Sequence, residues 1–361
     1  MPSLQIILYI RDLEIMKKIQ ALLPLFRQFI KDTETGKRLK KNGERIKKQS
    51  IDNYRYVLHN LERFTENSTF ELRICDTTKL TKRERLSEKN YWKKFYKNFT
   101  NYLYKNGCHD NYVGANIKII RVFLNYLSYD KDIYTGDYHR LLYVRKEEVD
   151  ILVLSPDQLK FLIHDQSFDT SLKPMHKRVK DIFVFGCTTG LRYSDIFKLT
   201  TKNFELQGEQ WYLKIKSLKT KTYSFIKLPG YAIAIFKTYR SRSSKALLFG
   251  HLSLFNFNKN LKQIGELASF TNAIEQTREI QGKAVKNKSH HRQIRFCDKM
   301  SSHMMRRTAI TTLLILGMPE HLVRKISGHS NTSASFNRYV HYAQAYIDRE
   351  IDKVHEKLNT Y

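Results

Sequence analysis

Residues 302–308 of this 361-residue sequence read Ser-His-Met-Met-Arg-Arg-Thr. His303 and Arg306 are three residues apart, so a helix places both side chains on one face. Residues 308–312 (TAITT) continue the same helix, and we expect their β-branched side chains to pack inward without a chemical role. Such a His/Arg pair often arises by chance, so its meaning depends on the rest of the chain.

Three further motifs in the C-terminal half carry groups able to handle a phosphodiester. They are TGLRYSD at 189–195, LKTK at 218–221 and SGH at 327–329, the last followed by NRYVH at 337–341. Each alone is weak evidence, since an Arg at a helix start is usually structural and the chain has 22 tyrosines. Their ordered combination is far more specific.

The charge of the chain points to a polyanionic partner. Lys and Arg total 64 against 35 Asp and Glu, which gives a formal charge of +29. A protein with this excess repels itself unless it meets a polyanion, and nucleic acid is the commonest one. The alternative at this point is a solvated basic surface on an unrelated protein.

The sequence gives no sign of a disulfide framework, a metal site or a cofactor. Cys75, Cys108, Cys187 and Cys297 are scattered and form no C-x-x-C pair. His290 and His291 near Cys297 match no standard metal spacing and are interpreted as part of a basic loop. Residues 4–10 are apolar but too short to span a membrane and lack a basic leader, so a reducing cytoplasm is expected.

The N-terminal half predicts a small helical domain at residues 46–145 behind a segment at 1–45. In that segment we expect a short strand, then a helix from about Asp12 to Ile30, interrupted near Pro24. A basic linker or DNA-contacting arm follows at 31–50. Ser50 is the expected N-cap of the domain's first helix. The apolar positions expected on one face of each domain helix are Ile51, Tyr54, Leu58 and Leu61, then Phe95, Phe99 and Leu103 before an Asn106-Gly107 stop, then Val113, Ile117, Ile120 and Leu124.

A linker at 129–150 leads to a second domain at 150–361. Ser155, Pro156 and Gln158 match a helix start with a capping box. Helices through 159–163 and 179–187 follow, and 211–216 and 223–228 alternate with period two around a polar turn, which predicts a β-hairpin. The remainder is expected to be helical, except for a basic, unpatterned loop at about 278–299.

Taken together, residues 150–345 resemble the tyrosine recombinase (phage integrase) family, with a looser likeness in the helical domain. The likeness is greatest to integrases of mobile elements in Bacteroides-type bacteria. It rests on residues 302–308, Gly317, residues 326–329 and Tyr339 with Phe336, and on SIDNY at 50–54. The resemblance implies a mainly α fold with a small β-sheet, arranged as a two-domain, C-shaped DNA clamp.

The resemblance also implies a role for each site residue. Tyr339 would attack the phosphate and stay bound to the 3′-phosphate, without metal or ATP. Arg192 and Arg306 would clamp the non-bridging oxygens, where a planar guanidinium fits better than an ammonium group. His303 and His329 would add hydrogen bonds, and His303 would help to manage the tyrosine proton. Two further residues would assist: Lys219 as the general acid toward the leaving 5′-oxygen, and Asp195 as support for the active-site cations.

Two of these roles have rivals in the sequence. The gap from His329 to Tyr339 is one residue longer than in many family members, which makes Tyr342 an alternative nucleophile. Val340-His341 resembles the residues that follow the family's nucleophile and favours Tyr339. Lys221, two residues beyond Lys219, is a rival general acid.

The partners implied are double-stranded DNA recombination sites, a homotetramer on paired sites, and DNA-bending accessory proteins, in a nucleoid-associated cytoplasmic location with no membrane. The C-terminal stretch 343–358 would be exchanged between neighbouring subunits or would pack on its own domain. The alternative functions are a type IB topoisomerase-like relaxing enzyme and a DNA-binding relative without activity. The complete set of site residues argues against the inactive relative, and RNA binding has no motif of its own.

Overall fold

The computed structural model describes residues 19–216, 223–241, 243, 245–286, 293–330 and 332–359. Across these residues the backbone is mainly helical with small antiparallel sheets, as predicted. The chain divides into two compact units. The first combines the chain up to Val149 with Thr277–Lys286, and the second combines Asp150–Gln276 with Asn287–Tyr361. No helix in the described residues has both the length and the apolarity needed to cross a membrane.

The first unit is built from helices around an aromatic core. Its elements up to residue 130 are β1 (Ile19–Ala21), α1 (Leu22–Thr35), α2 (Lys48–Glu66), β2 (Arg73–Cys75), α3 (Lys82–Lys105) and α4 (Asp110–Asp130). Strands β1 and β2 pair antiparallel. The core rings that lose essentially all contact with solvent are Phe26, Phe29, Phe64, Trp92, Phe95, Phe99 and Phe123. Burial of such rings is the main favourable contribution to the stability of this unit.

The predicted helices of this unit are present, and the C-terminal end of α3 is the one that the sequence predicts. The chain leaves α3 through Asn106 and through Gly107 in the left-handed region (φ 77°), a conformation that glycine adopts without strain. The start of α2 differs from the prediction. The helix begins at Lys48 with Lys47 as N-cap, so Ser50 lies inside its first turn and caps nothing.

The N-terminal segment is more ordered than its sequence indicates. Residues 19–21 form β1 where a helix was predicted. Helix α1 starts at Leu22, two residues before Pro24, and its first turn tolerates the proline because an N–H at that position would have no partner within the helix. Phe26 and Phe29 of α1 lie in the core of the helical unit. The placement of all residues 1–45 outside the helical domain is therefore wrong for α1. Residues 1–18 lie outside the described part of the chain.

The predicted loop at 278–299 contains a β-hairpin that belongs to the first unit. Strands β6 (Thr277–Ile280) and β7 (Lys283–Lys286) pair antiparallel around Gln281-Gly282. The buried carboxylate of Asp110 accepts the backbone N–H groups of Gln281 (2.9 Å) and Gly282 (2.7 Å). The buried carboxylate of Glu147 accepts the Glu279 N–H (2.6 Å) and pairs with the Arg278 guanidinium (2.5 Å). These tertiary contacts order a segment that has no apolar pattern of its own.

The second unit surrounds a central helix with further helices and one three-stranded sheet. Its elements are α5 (Pro156–His164), α6 (Gln166–Ser171), α7 (Pro174–Thr189), α8 (Tyr193–Ile196), β3 (Phe204–Gln207), β4 (Gln210–Lys216), β5 (Tyr223–Lys227), α9 (Gly230–Tyr239), α10 (Leu254–Leu267), α11 (Ser302–Ile315), α12 (Glu320–Ser327) and α13 (Ala334–Asn359). The Ser155/Gln158 capping box with Pro156 in the first turn is confirmed. The predicted hairpin is β4–β5, and β3 adds a third antiparallel strand that the sequence analysis did not predict.

Close packing of α7 against α11 sets the position of the site residues. A Cβ atom added to Gly186 of α7 would lie 2.4 Å from the sulfur of Met305 on α11, so a larger residue here would force the Met305 side chain to shift. Thr308 and Thr311 on α11 point inward, as predicted, and the Thr308 hydroxyl accepts the N–H of Leu154 at 3.1 Å. The backbone next to Arg306 is therefore held on both sides.

Candidate active site

Four of the six predicted site residues come together where helices of the second unit begin or end. Gly190 (φ 66°) ends α7, and Arg192 is the N-cap residue of α8. Arg306 lies in the second turn of α11. Gly328 (φ 63°) ends α12 directly before His329, and Tyr339 follows on α13. Left-handed glycines allow the sharp changes of chain direction that direct these side chains toward one another.

The guanidinium of Arg306 is buried and held by backbone carbonyls. It donates to the carbonyl of Gly190 (Nη1, 3.0 Å) and to the carbonyl of Ser327 (Nη2). Burial, together with the nearby charge of Arg192, lowers the pKa of Arg306 to about 10. Tyr339 and Asp195 oppose this shift. A desolvated cation fixed in this way favours an incoming anion such as a phosphate.

His329 is held between a serine and Arg306. The Ser327 hydroxyl donates to the Val323 carbonyl (2.7 Å), so its oxygen is left to accept the Nδ1–H of His329 at 2.8 Å. This network assigns the proton of the neutral ring to Nδ1. Burial, and then the charges of Arg306, Arg192 and Arg324, lower the pKa of His329 to about 4.

Tyr339 lies in this cluster, with 7% of its surface exposed. Its ring centroid is 6.0 Å from that of His329 and 6.0 Å from that of Phe336. The rival residue, Tyr342, lies about one turn further along α13. Burial raises the pKa of Tyr342, and the nearby charge of Arg349 opposes this shift.

Arg192 and Asp195 complete the electrostatic surroundings. The Arg192 charge lowers the pKa of both Arg306 and His329, so it acts on the same small region. Asp195 is buried and raises the pKa of Arg306, which fits the supporting role that the resemblance implies. His303 is exposed on α11, one turn before Arg306.

The remaining site predictions fall on residues that the structure does not describe. Lys219 and its rival Lys221 belong to residues 217–222, between β4 and β5 in the chain, which lie outside the described residues, as do His290 and His291. Within the described ranges, no group of three His, Cys, Asp or Glu side chains is arranged to hold a metal ion.

The structure adds Ser327, Arg324 and Asn337, to which the sequence assigned no role. Ser327 orients the His329 ring, and Arg324 connects α12 to the start of α13, where it contacts Asn337. The sequence contained only a weak signal for Arg324, namely its spacing from Val323 and Ser327, which places the three on one face of α12; the burial of that face comes from the structure. A buried arginine on such a face needs several partners, and this predicts that it connects neighbouring segments.

Several solved structures share this fold. A lambda integrase dimer bound to a COC′ core site matches with a TM-score of 0.57 at 13% identity, over 89% of this chain and 95% of that chain. The XerH site-specific recombinase bound to a difH substrate matches with a TM-score of 0.55 at 14% identity, over 86% and 80%. The Tn1549 transposon integrase in complex with a circular intermediate DNA also gives 0.55 at 14%, over 91% and 99%. At these identities the likeness shows the fold alone.

The family of this chain is shown by a match to a protein-family model and not by these structures. None of the curated proteins matches the chain significantly. The model of the phage integrase family matches residues 153–345, more than half of the chain and the span that holds all the predicted site residues. This chain belongs to the phage integrase family and is a tyrosine site-specific recombinase.

Proposed function

We propose that Tyr339 is the nucleophile of this recombinase. Its hydroxyl oxygen attacks the scissile phosphorus, a bond forms to the 3′-phosphate, and the bond to the 5′-oxygen breaks. The covalent link conserves the phosphodiester energy, so that rejoining to a new 5′-hydroxyl needs no ATP. The observation that carries this proposal is the placement of the Tyr339 ring beside His329, in the cluster that contains Arg306.

The surrounding residues take the charge and the protons. Arg192 and Arg306 bind the non-bridging oxygens, and the burial of Arg306 strengthens that interaction because little water competes with it. The neutral His329 ring has its Nδ1–H committed to Ser327, so it donates from Nε2 once a phosphate has favoured its protonation. His303 receives the tyrosine proton, and Lys219 protonates the leaving 5′-oxygen.

The biological setting is an integration or excision reaction of a mobile element. The substrates are two double-stranded DNA sites held by a homotetramer, with accessory proteins that bend the DNA and with the C-terminal helix exchanged between subunits. The Tn1549 relative, described as a transposon integrase with a circular intermediate, supports this setting, as does the sequence likeness to Bacteroides-type integrases. Ile351 on α13 is 48% exposed, which leaves an apolar contact available to a neighbouring subunit.

Covalent trapping tests the nucleophile. Tyr339→Phe removes only the hydroxyl, so it should bind DNA but form no SDS-stable adduct, whereas Tyr342→Phe should form the adduct as the wild type does. An adduct that survives in Tyr339→Phe and is lost in Tyr342→Phe would reverse the assignment. Deep sequencing of the trapped DNA then identifies the cleavage site.

A second experiment separates recombination from topoisomerase-like relaxation. Two DNA fragments that carry the trapped site are incubated with the protein, and exchanged products are measured beside relaxation of a supercoiled plasmid. Recombination predicts products that join the two fragments. Relaxation without exchange, even at high protein concentration, would contradict the proposed setting, because relaxation needs neither a second site nor a synapse.

A further inference from the structure

Arg324 forms a buried connection between α12 and the beginning of the nucleophile helix. Its side chain has 8% of its surface exposed. The guanidinium pairs with Glu320 one turn earlier (2.6 Å), donates from Nη1 to the Ser330 carbonyl (3.0 Å) and donates from Nη2 to the Asn337 side-chain oxygen (2.9 Å). One planar group therefore holds three segments: α12, the connection after His329, and the first turn of α13.

The same guanidinium also lies over a ring that touches both catalytic side chains. Its central carbon is 4.0 Å from the ring centroid of Phe336. The Phe336 ring centroid lies 5.2 Å from that of His329 and 6.0 Å from that of Tyr339. Displacement of the guanidinium would let Phe336 move, and the two rings that flank it would move with it.

The chemistry of the site explains why an arginine is required here. Lysine has no planar face to stack on Phe336 and no fixed fork to reach a carboxylate, a carbonyl and an amide together. The backbone of Arg324 also takes part, since its carbonyl accepts the N–H of His329 at 3.0 Å. This backbone bond does not depend on the arginine side chain, which acts on the start of α13 through Ser330, Asn337 and Phe336.

We propose that Arg324 is a positioning residue for cleavage, which sets the distance between His329 and Tyr339 through Phe336 and Asn337. This inference rests on the proposed role of Tyr339. Nucleophilic attack depends strongly on alignment, and a misplacement of about 1 Å costs roughly 10²-fold in rate. The contacts of its guanidinium are with Glu320, with the connection after His329 and with the first turn of α13, so its effect on cleavage is exerted through these segments.

The first test compares Arg324→Lys and Arg324→Gln with the wild type in single-turnover adduct formation at saturating DNA. Both variants should cleave roughly 10- to 100-fold more slowly, with the DNA dissociation constant changed by less than about threefold. The pH profile separates charge from geometry. Arg324→Lys keeps the positive charge that lowers the pKa of His329 and should keep the wild-type pH profile, whereas in Arg324→Gln the alkaline limb, on which the rate falls as His329 loses its proton, should move to higher pH. The matched control is Lys325→Gln, an exposed neighbour on α12, which should cleave at the wild-type rate.

The second test avoids any folding defect caused by changes to a buried arginine. Asn337 is exposed, so its variants leave the core intact. Asn337→Leu removes the acceptor for Arg324 and should slow adduct formation by roughly tenfold, while Asn337→Asp keeps an acceptor oxygen and should stay near the wild-type rate.

These outcomes distinguish the two proposals. Adduct formation by the wild type together with rates within about twofold of it for Arg324→Lys and Asn337→Leu would overturn the positioning role alone. A fall in rate that equals the fall in DNA affinity would overturn it as well. Absence of any Tyr339 adduct in the wild type would overturn the proposed nucleophile, and the positioning role with it.

Discussion

The guanidinium of Arg306 lies 3.4 Å from both ring nitrogens of His329. Two groups that can carry positive charge are thus in contact in a largely buried place, where the buried carboxylate of Asp195 raises the pKa of Arg306. The result is a histidine whose pKa, at about 4, lies well below its ordinary value, beside an arginine whose own pKa is lowered. Such a pair is costly without an anion and is stabilised by one, which is the property that a phosphate site needs.

The first prediction concerns the stability of the DNA-free protein at different pH values. The folded-state pKa of His329 lies below the value of 6.5 expected in the unfolded chain, so between these two values the unfolded state binds more protons. Stability should fall as the pH decreases through this window. Between pH 7 and pH 5 the wild type should lose up to about 2 kcal/mol more free energy of unfolding than His329→Gln.

Urea denaturation at the two pH values measures this difference. His321→Gln, an exposed substitution on α12, is the matched control and should lose stability as the wild type does. Equal losses of unfolding free energy in the wild type and in His329→Gln would show that folding does not lower the pKa of His329.

The second prediction concerns Lys219 as the general acid. A 5′-oxygen leaves poorly unless it is protonated, and general-acid catalysis contributes roughly 10²- to 10⁴-fold. Lys219→Ala should therefore cleave normal DNA slowly, but should cleave a 5′-bridging phosphorothiolate near the wild-type rate, because a thiolate leaves without a proton.

The control for this experiment is Lys221→Ala, which should resemble the wild type on both substrates. Equally slow cleavage of the sulfur substrate by Lys219→Ala would assign the residue to phosphate binding instead. Selective rescue of Lys221→Ala would make Lys221 the acid.

The third prediction concerns the source of DNA affinity. With a formal charge of +29, contacts to phosphates should supply most of the binding free energy. The logarithm of the association constant should then fall linearly with the logarithm of the salt concentration, by about 10³-fold or more between 50 and 200 mM. Tyr339→Phe is the suitable protein for this titration because it leaves the DNA intact. An affinity that barely changes over this range would show that base contacts dominate.

The fourth prediction concerns the buried carboxylate that holds the β6–β7 hairpin. Burial opposes ionisation of Glu147, but its bonds to Arg278 and to the Glu279 N–H outweigh burial and lower its pKa. Its contribution should be present above the unfolded pKa and lost as the pH falls below about 4.5. At pH 7, Glu147→Gln should therefore increase hydrogen exchange at the Glu279 amide by roughly 10²-fold, equivalent to about 3 kcal/mol.

The adjacent exposed residue provides the control for this substitution. Glu148→Gln removes the same charge without touching the hairpin and should leave the exchange rate unchanged. The difference between Glu147→Gln and the wild type should shrink when the pH is lowered to 4. A difference independent of pH would mean that the shape of the side chain matters rather than its charge.

The sequence alone determined the helical character of both units and the family. Apolar periodicity in α3 and α4 and the capping box at Ser155 depend on interactions between residues a few positions apart, so their pattern can be recognised without the fold. The ordered motifs around Arg192, Arg306, His329 and Tyr339 were recognisable for a related reason, since phosphoryl chemistry requires those residue types.

Tertiary structure decided what depends on partners distant in sequence. The β6–β7 hairpin is ordered by Asp110 and Glu147, more than 100 positions away, and its own residues carry no apolar pattern. The low pKa of His329 likewise arises from burial and from Arg306, which folding brings to within 3.4 Å across 23 residues of chain. Desolvation and charge proximity depend on distances in space, and a linear sequence specifies those distances only after the helices have packed.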